Sequence, residues 1–190
     1  VGKEALVSNR TGGGNIALGW QTLYFANSGG HNNAIGQETL MYTCGGTHNN
    51  AMGYQALKCN TYGNFNTAIG YHASHCNTEG SYNNAIGYEA LRNNTTGGQN
   101  VALGYKASYS NTTGNYNTAL GRYALYSNTT GSCNVALGYE ALCYNTEGCD
   151  NQAIGTAALQ KNTTGNYNAA VGRCALKENT EGLSNVAIGY

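Results

Sequence analysis

Apolar and polar positions follow a fixed beat along the whole chain. The tripeptide Ala-(Ile/Leu/Met/Val)-Gly recurs so that its glycine falls at every seventeenth position from Gly2 to Gly189, without insertion or deletion. With that glycine as column 1, the chain holds eleven full repeats and a two-residue remainder. Column 16 is always alanine and column 17 always aliphatic or methionine. Column 4 is Ala or Thr, and column 5 is Leu except at Ser74 and Ser108. Column 11 is glycine throughout, from Gly12 to Gly182, and columns 8 and 9 usually read Asn-Thr, as in Asn128-Thr129.

A strict period without length variation means that each repeat is one rung stacked on the last. Seventeen residues are too few for a helical-hairpin repeat, which needs roughly 33. Two glycines per repeat would also weaken helices by about 1 kcal/mol each. Two strands of four or five residues joined by two turns fit the length. The Asn-Thr-Thr-Gly stretch has turn chemistry, with its glycine expected at positive φ, and the column-1 glycine supplies the other corner. The pattern predicts an all-β chain, a parallel β-solenoid (β-roll) of eleven 17-residue rungs forming a single domain over residues 1–190. At about 4.8 Å per rung the rod would be roughly 50 Å long. A rival keeps one strand per rung and makes columns 2–7, for example Tyr88-Glu89-Ala90-Leu91-Arg92-Asn93, a single helical turn.

Adjacent apolar columns pose a packing problem. In a strand, neighbouring side chains point to opposite faces, and a solenoid has one interior. Alanine at column 16 suits a thin interior, which sends the column-17 side chain outward as a long apolar stripe. Such a stripe is too large to leave in water and is expected to bury against other copies of the chain, most simply as a homotrimer packed side by side. The alternative is that the column-1 corner turns both residues inward. Asn15, Asn32, Asn49, Asn66, Asn83, Asn100, Asn117, Asn134, Asn151, Asn168 and Asn185 fill column 14. Stacked asparagines can bond amide to amide along a rod and satisfy nearby turn backbone, so a structural ladder is expected there.

Asn134-Val135-Ala136-Leu137-Gly138 and Asn185-Val186-Ala187-Ile188-Gly189 resemble the head repeats of trimeric autotransporter adhesins and related repeats of phage tail fibres and bacterial surface fibres. The resemblance covers nearly the whole chain but rests on a short motif, and the Asn-Thr-Thr-Gly stretch departs from the shorter adhesin repeat. It implies a left-handed parallel β-roll, three chains side by side, and a role in attachment at a cell or virion surface.

Composition narrows the remaining classes. Nine basic and nine acidic residues balance to zero, so no basic footprint for nucleic acid is present. No apolar run approaches the ~18 residues of a membrane span, and no membrane insertion is expected. Hydrophobic residues make up 41% and charged residues 9%, the reverse of a disordered chain. The acids fall mostly in columns 3 and 10, where no acid–base pair shares a pocket, so no catalytic residue and no enzyme activity is predicted. His31 with His48, and His72 with His75, give two ligands without a third, and neither a metal nor another cofactor is expected. Cys44, Cys59, Cys76, Cys133, Cys143, Cys149 and Cys174 read as scattered thiols rather than a disulfide framework, although Cys59 and Cys76 share column 7 in adjacent rungs. Sequons at Asn9, Asn93, Asn94, Asn111, Asn128 and Asn162 arise from the turn sequence.

The candidate contact surface is aromatic. Trp20, Tyr54, Tyr71, Tyr88, Tyr105 and Tyr139 share column 2, where stacked rings would brace the sheet and present an apolar face with a polar tip to sugars or other surfaces. Variable columns 2, 3, 6, 7, 12 and 13 are expected to face solvent. The expected function is a structural and adhesive extracellular fibre segment that self-associates and meets a host-surface or carbohydrate receptor. The chain starts in column 17 with Val1 and stops in column 2 with Tyr190, without the polar caps of a soluble solenoid. That suggests a segment of a longer fibre or a filament subunit. An ice-binding solenoid is the third reading, because column 9 is Thr in eight rungs, although Glu79, Glu147 and Glu181 interrupt column 10.

Overall fold

A computed structural model describes residues 2–190, and Val1 lies outside the described residues. Eleven parallel strands form one sheet in chain order: β1 (Ile16–Leu18), β2 (Asn33–Ile35), β3 (Asn50–Met52), β4 (Thr67–Ile69), β5 (Asn84–Ile86), β6 (Val101–Leu103), β7 (Thr118–Leu120), β8 (Val135–Leu137), β9 (Gln152–Ile154), β10 (Ala169–Val171) and β11 (Val186–Ile188). Each strand pairs with the next so that alanine meets alanine, as in Ala17 with Ala34 and Ala68 with Ala85. No helix occurs among the described residues. The chain is an all-β, parallel β-solenoid.

The expected second strand is absent, and so is the rival helical turn. Columns 3 and 5 both hold left-handed residues, for example Glu89 (φ 53°) and Leu91 (φ 49°), and column 13 holds a third, such as Tyr82 (φ 61°). Neither an extended strand nor a right-handed turn tolerates that sequence of dihedrals. Each such residue costs about 1–2 kcal/mol, and the packing explains why the backbone adopts it. The bend at column 5 turns two neighbouring side chains inward, so Ala90 and Leu91 are both fully buried. Columns 4 and 5 therefore both face the core, where the alternation of a strand would place only one of them there. In β4 to β6 the strand rule does hold: Ala68, Ala85 and Ala102 are buried, while Ile69, Ile86 and Leu103 point outward.

Hydrogen bonding between successive turns continues well beyond the three-residue strands. The N–H of Leu91 donates to the Ala107 carbonyl at 3.0 Å, that of Thr95 to Thr112 at 2.9 Å, and that of Gln99 back to Ser81 at 2.9 Å. Most of the outline is thus stitched to its neighbours, which satisfies a backbone that has little regular secondary structure of its own.

Two columns of asparagine run inside the rod. In column 14, each Oδ1 accepts the next asparagine's backbone N–H, from Asn15 through to Asn185. Asn100 Oδ1 takes the Asn117 N–H at 2.9 Å, and Asn117 Oδ1 takes the Asn134 N–H at 3.0 Å. This column lies just outside the strands, which begin at column 15 rather than at column 14. The second ladder was read in the sequence only as turn chemistry. In column 8, Asn94, Asn111 and Asn128 pass Nδ2–H to Oδ1 along the rod at 2.7–2.8 Å.

Both ladders converge on the column-11 carbonyl. Gly114 O accepts Asn100 Nδ2 at 2.9 Å and Asn111 Nδ2 at 3.0 Å, which uses both of its lone pairs. The column-11 glycines are not in the left-handed region, contrary to the turn expected from sequence. They are needed for close approach: a Cβ at Gly114 would collide with the Gly131 carbonyl and with Asn111 Oδ1. Column 1 has both constraints, since Gly87 sits at φ 139° and its Cβ would strike the Gly104 carbonyl.

The ladders differ in what they hold. Removing a column-14 amide orphans a buried backbone N–H, whereas removing a column-8 amide leaves the Gly114 carbonyl its column-14 donor, and Ala26 and Thr43 already occupy column 8. Asn117→Ala is expected to destabilise the rod by about 2–4 kcal/mol, and Asn111→Ala by about 1–2 kcal/mol. Urea melts of the two variants would check this order, and equal losses would contradict it.

Candidate functional site

The surface divides into ribs, each made by one column repeated along the rod. The strand face carries columns 15 and 17, and no charged residue or histidine occurs in either. Leu18, Ile35, Met52, Ile69, Ile86, Leu103, Ile154 and Val171 are exposed there, from 36% at Leu103 to 49% at Met52. They form one apolar stripe, because the pleat that buries column 16 must expose its neighbours.

Beside the stripe, column 2 leaves the glycine corner with its side chains outward. Tyr54, Tyr71, Tyr88 and Tyr105 stack at centroid spacings of 5.2, 5.1 and 5.1 Å, with planes within 14° of parallel. Trp20 is exposed but separated from this stack by Gln37, and Tyr139 is separated from it by Arg122. The Arg122 guanidinium lies over the rings of Tyr105 and Tyr139 at 5.5 and 6.0 Å and continues the column as a cation–π bridge. Tyr54 to Tyr105 therefore cover one another's faces, and their edges and hydroxyls meet solvent. A similar ladder of His31, His48, Phe65 and Tyr82 runs along column 13 with spacings of 4.9, 4.8 and 5.1 Å. Tyr116 and Tyr167, at 60% and 66% exposure, stand out beyond it.

Columns 3 and 6 are half-buried rather than fully solvent-facing, and they carry a charged seam. The Glu38 carboxylate accepts Lys58 Nζ at 2.6 Å and Gln55 Nε2 at 2.8 Å. The Lys58 hydrogen bond holds its pKa below the usual carboxylate range, against the opposing effect of burial. Glu89 lies 3.3 Å from Lys106 Nζ and 3.5 Å from Arg92 Nε. Between these pairs sit two histidines in edge contact, His72 and His75, with centroids 4.8 Å apart. Burial, then the Arg92 charge, lowers the His72 pKa. Burial, reinforced by His72, Arg92 and Lys58, lowers that of His75 to about 4. The acids are thus engaged in ion pairs, and the imidazoles are held neutral.

Other features read from the sequence fall differently. All seven cysteines are free. Among the described residues, no group of three or more His, Cys, Asp or Glu could hold a metal ion, and no helix is long and apolar enough to cross a membrane. The sequon asparagines Asn94, Asn111, Asn128 and Asn162 are fully buried in the column-8 ladder, while Asn93 is half-buried at the surface. Thr hydroxyls in column 9 are committed: Thr95, Thr112 and Thr129 each donate to the next turn's Thr carbonyl at 3.0–3.1 Å. A hollow of about 570 Å³ is an open trough lined by Phe25, Tyr42, Cys44, Cys59, Thr61 and Thr78.

No family model, curated protein or solved structure matches the chain.

Two outcomes follow from this surface. Tyr88→Ala removes one ring from the middle of a stack and should cost only about 0.5–1.5 kcal/mol, read as a small drop in melting temperature with the β spectrum retained. For His75 the folded pKa of about 4 lies below the ordinary 6.5. Above pH 6.5 the ring is neutral in both states and its contribution is intact. As pH falls from 6.5 to about 4 the unfolded chain takes up a proton that the folded chain refuses, so stability declines. Discounted for solvent screening at a half-buried ring, the loss is about 1–2 kcal/mol. His75→Gln should flatten that part of the melting profile, and an unchanged profile would count against it.

Proposed function

We propose that the chain is a structural and adhesive segment of an extracellular fibre at a cell or virion surface. In this reading eleven 17-residue rungs pack side by side with two further copies as a homotrimer. The observation that supports it is the uncharged apolar stripe on the outer face of β1 to β11, which runs along the sheet and has no intramolecular cover. A stripe of this extent calls for a partner. An identical rod is the partner that repeats at the same ~4.8 Å spacing over its whole length. The resemblance of the Asn-Val-Ala-Leu-Gly and Asn-Val-Ala-Ile-Gly repeats to trimeric adhesin heads points the same way.

Attachment would then use the ribs that remain outside the trimer. Tyrosine edges and hydroxyls in column 2 and the exposed rings of Tyr116 and Tyr167 offer repeated weak contacts to a host-surface or carbohydrate receptor. Many copies on one rod give strength through multivalency. The reading is non-enzymatic, in keeping with the Glu38 and Glu89 carboxylates bound in ion pairs and with open hollows. Ice binding ranks lower, because the column-9 hydroxyl protons are already donated within the rod. A filament built from the same ribs is the alternative, and electron microscopy separates short rods from long filaments.

Light scattering during size-exclusion chromatography tests the assembly. Wild-type protein should have the mass of a trimer. The combined change Ile69→Asp, Ile86→Asp and Leu103→Asp should reduce it to monomer or unfold it, because those side chains lie outside the core but inside the proposed interface. A monomeric triple variant as heat-stable as the wild type would overturn the trimer.

A further inference from the structure

Column 7 has a distinct chemistry in one short stretch. Phe25 and Tyr42 stack there with centroids 5.3 Å apart and planes 8° from parallel, so side chains in this column run alongside one another. The next two turns place Cys59 and Cys76 in the same column, both free and half-buried. Their backbones are held at successive levels: the Cys59 N–H donates to the His75 carbonyl at 3.1 Å and the Cys76 N–H to the Arg92 carbonyl at 2.9 Å. Neighbouring turns are about 4.8 Å apart, within the ~4.4–6.8 Å range of Cα separations that a disulfide spans.

An imidazole stands beside one thiol. His75 Nδ1 lies 3.4 Å from Cys76 Sγ. With its proton on Nε2, the neutral ring presents a lone pair to the thiol hydrogen. Burial and the charges around that ring keep it neutral, so this acceptor is retained. At Cys59, burial, then the neighbouring Cys76, pushes the thiol pKa up. The imidazole contact at Cys76 makes the pair asymmetric in geometry, and the trough of about 570 Å³ opens against Cys59.

We propose that Cys59 and Cys76 form a dithiol modification site that reacts with low-molecular-weight disulfides, of which glutathione disulfide is the type, and closes a reversible covalent staple between two neighbouring turns. The Cys76 thiol loses its proton to solvent, and the thiolate, in contact with His75 Nδ1, attacks one sulfur of the reagent. A Cys76 mixed disulfide forms, and one thiolate leaves with a proton. Cys59 then gives up its proton and attacks the Cys76 sulfur, which forms the Cys59–Cys76 bond and expels the second thiol. Two protein thiols are oxidised and one reagent disulfide is reduced to two thiols, so electrons and protons balance. The staple ties the turn that holds β4 to the turn that holds β5, and it does not depend on the fibre reading. Cys143 has no comparable arrangement, since burial, then Glu140, pushes its thiol up to about 11.

The test uses the full chain and glutathione disulfide. Wild type should lose two hydrogens, yield a Cys59–Cys76 cross-linked peptide, and gain several degrees in melting temperature that dithiothreitol reverses. Cys59→Ser should stop at a glutathionyl adduct on Cys76, and the fold should accept it because Ser8, Ser110 and Ser127 occupy the same column. Absence of the cross-linked peptide, or oxidation at other cysteines instead, would overturn the assignment.

Discussion

The rod depends on the column-11 carbonyl and the two asparagine amides that reach it. A single turn of this chain encloses too little apolar material for a core of its own: one alanine from the strand, one alanine or threonine, and usually one leucine. What fixes the outline of each turn is a buried polar network in which donors and acceptors find partners along the rod axis. A network of this kind stabilises when complete and penalises when broken. That difference explains the asymmetry between its columns. Column 14 alone satisfies backbone N–H groups and is asparagine in every repeat, whereas column 8 gives the carbonyl a second donor and admits Ala26 and Thr43.

Close stacking at the two glycine columns follows from the same network. Asparagine side chains reach a carbonyl in the next turn only when the backbones nearly touch, and a Cβ at Gly114 or Gly87 would prevent it. The left-handed leucines of column 5 fit this frame as well. Their strained dihedrals turn Leu57, Leu91, Leu125 and Leu142 into the gap left by small alanines, and all four are fully buried. Where Ser108 stands in that column, its buried hydroxyl has no partner, which marks a weak point in the leucine column.

Surface chemistry is arranged in ribs because equivalent turns place each column at the same point of the outline. Each rib multiplies one side-chain type along a line: an apolar stripe on the strands, stacked rings at the corner, and paired charges where columns 3 and 6 meet. Departures from the repeat make the local chemistry. Two consecutive cysteines and two histidines in neighbouring columns produce the only thiol–imidazole contact among the described residues, Cys76 with His75.

The period, the glycine columns and the alternation of alanine with an exposed aliphatic were legible in the sequence, because stacking identical turns forces identical demands on each column. From these alone came the parallel β-solenoid and the outward stripe beside Ala68, Ala85 and Ala102. The second asparagine ladder was hidden, since Asn-Thr-Thr-Gly is equally good turn chemistry, and only burial distinguishes an interior amide at Asn111 from a solvated one. The absence of a second strand was hidden too. Left-handed φ at Glu89 and Leu91 leaves no signature in residue type, and it is decided by the need to place Ala90 and Leu91 in one narrow interior. The sequence could specify which side chains repeat, because composition by column is a local property. Which way those side chains point in a turn this tight is set by contacts with the turns above and below, and only the tertiary structure contains them.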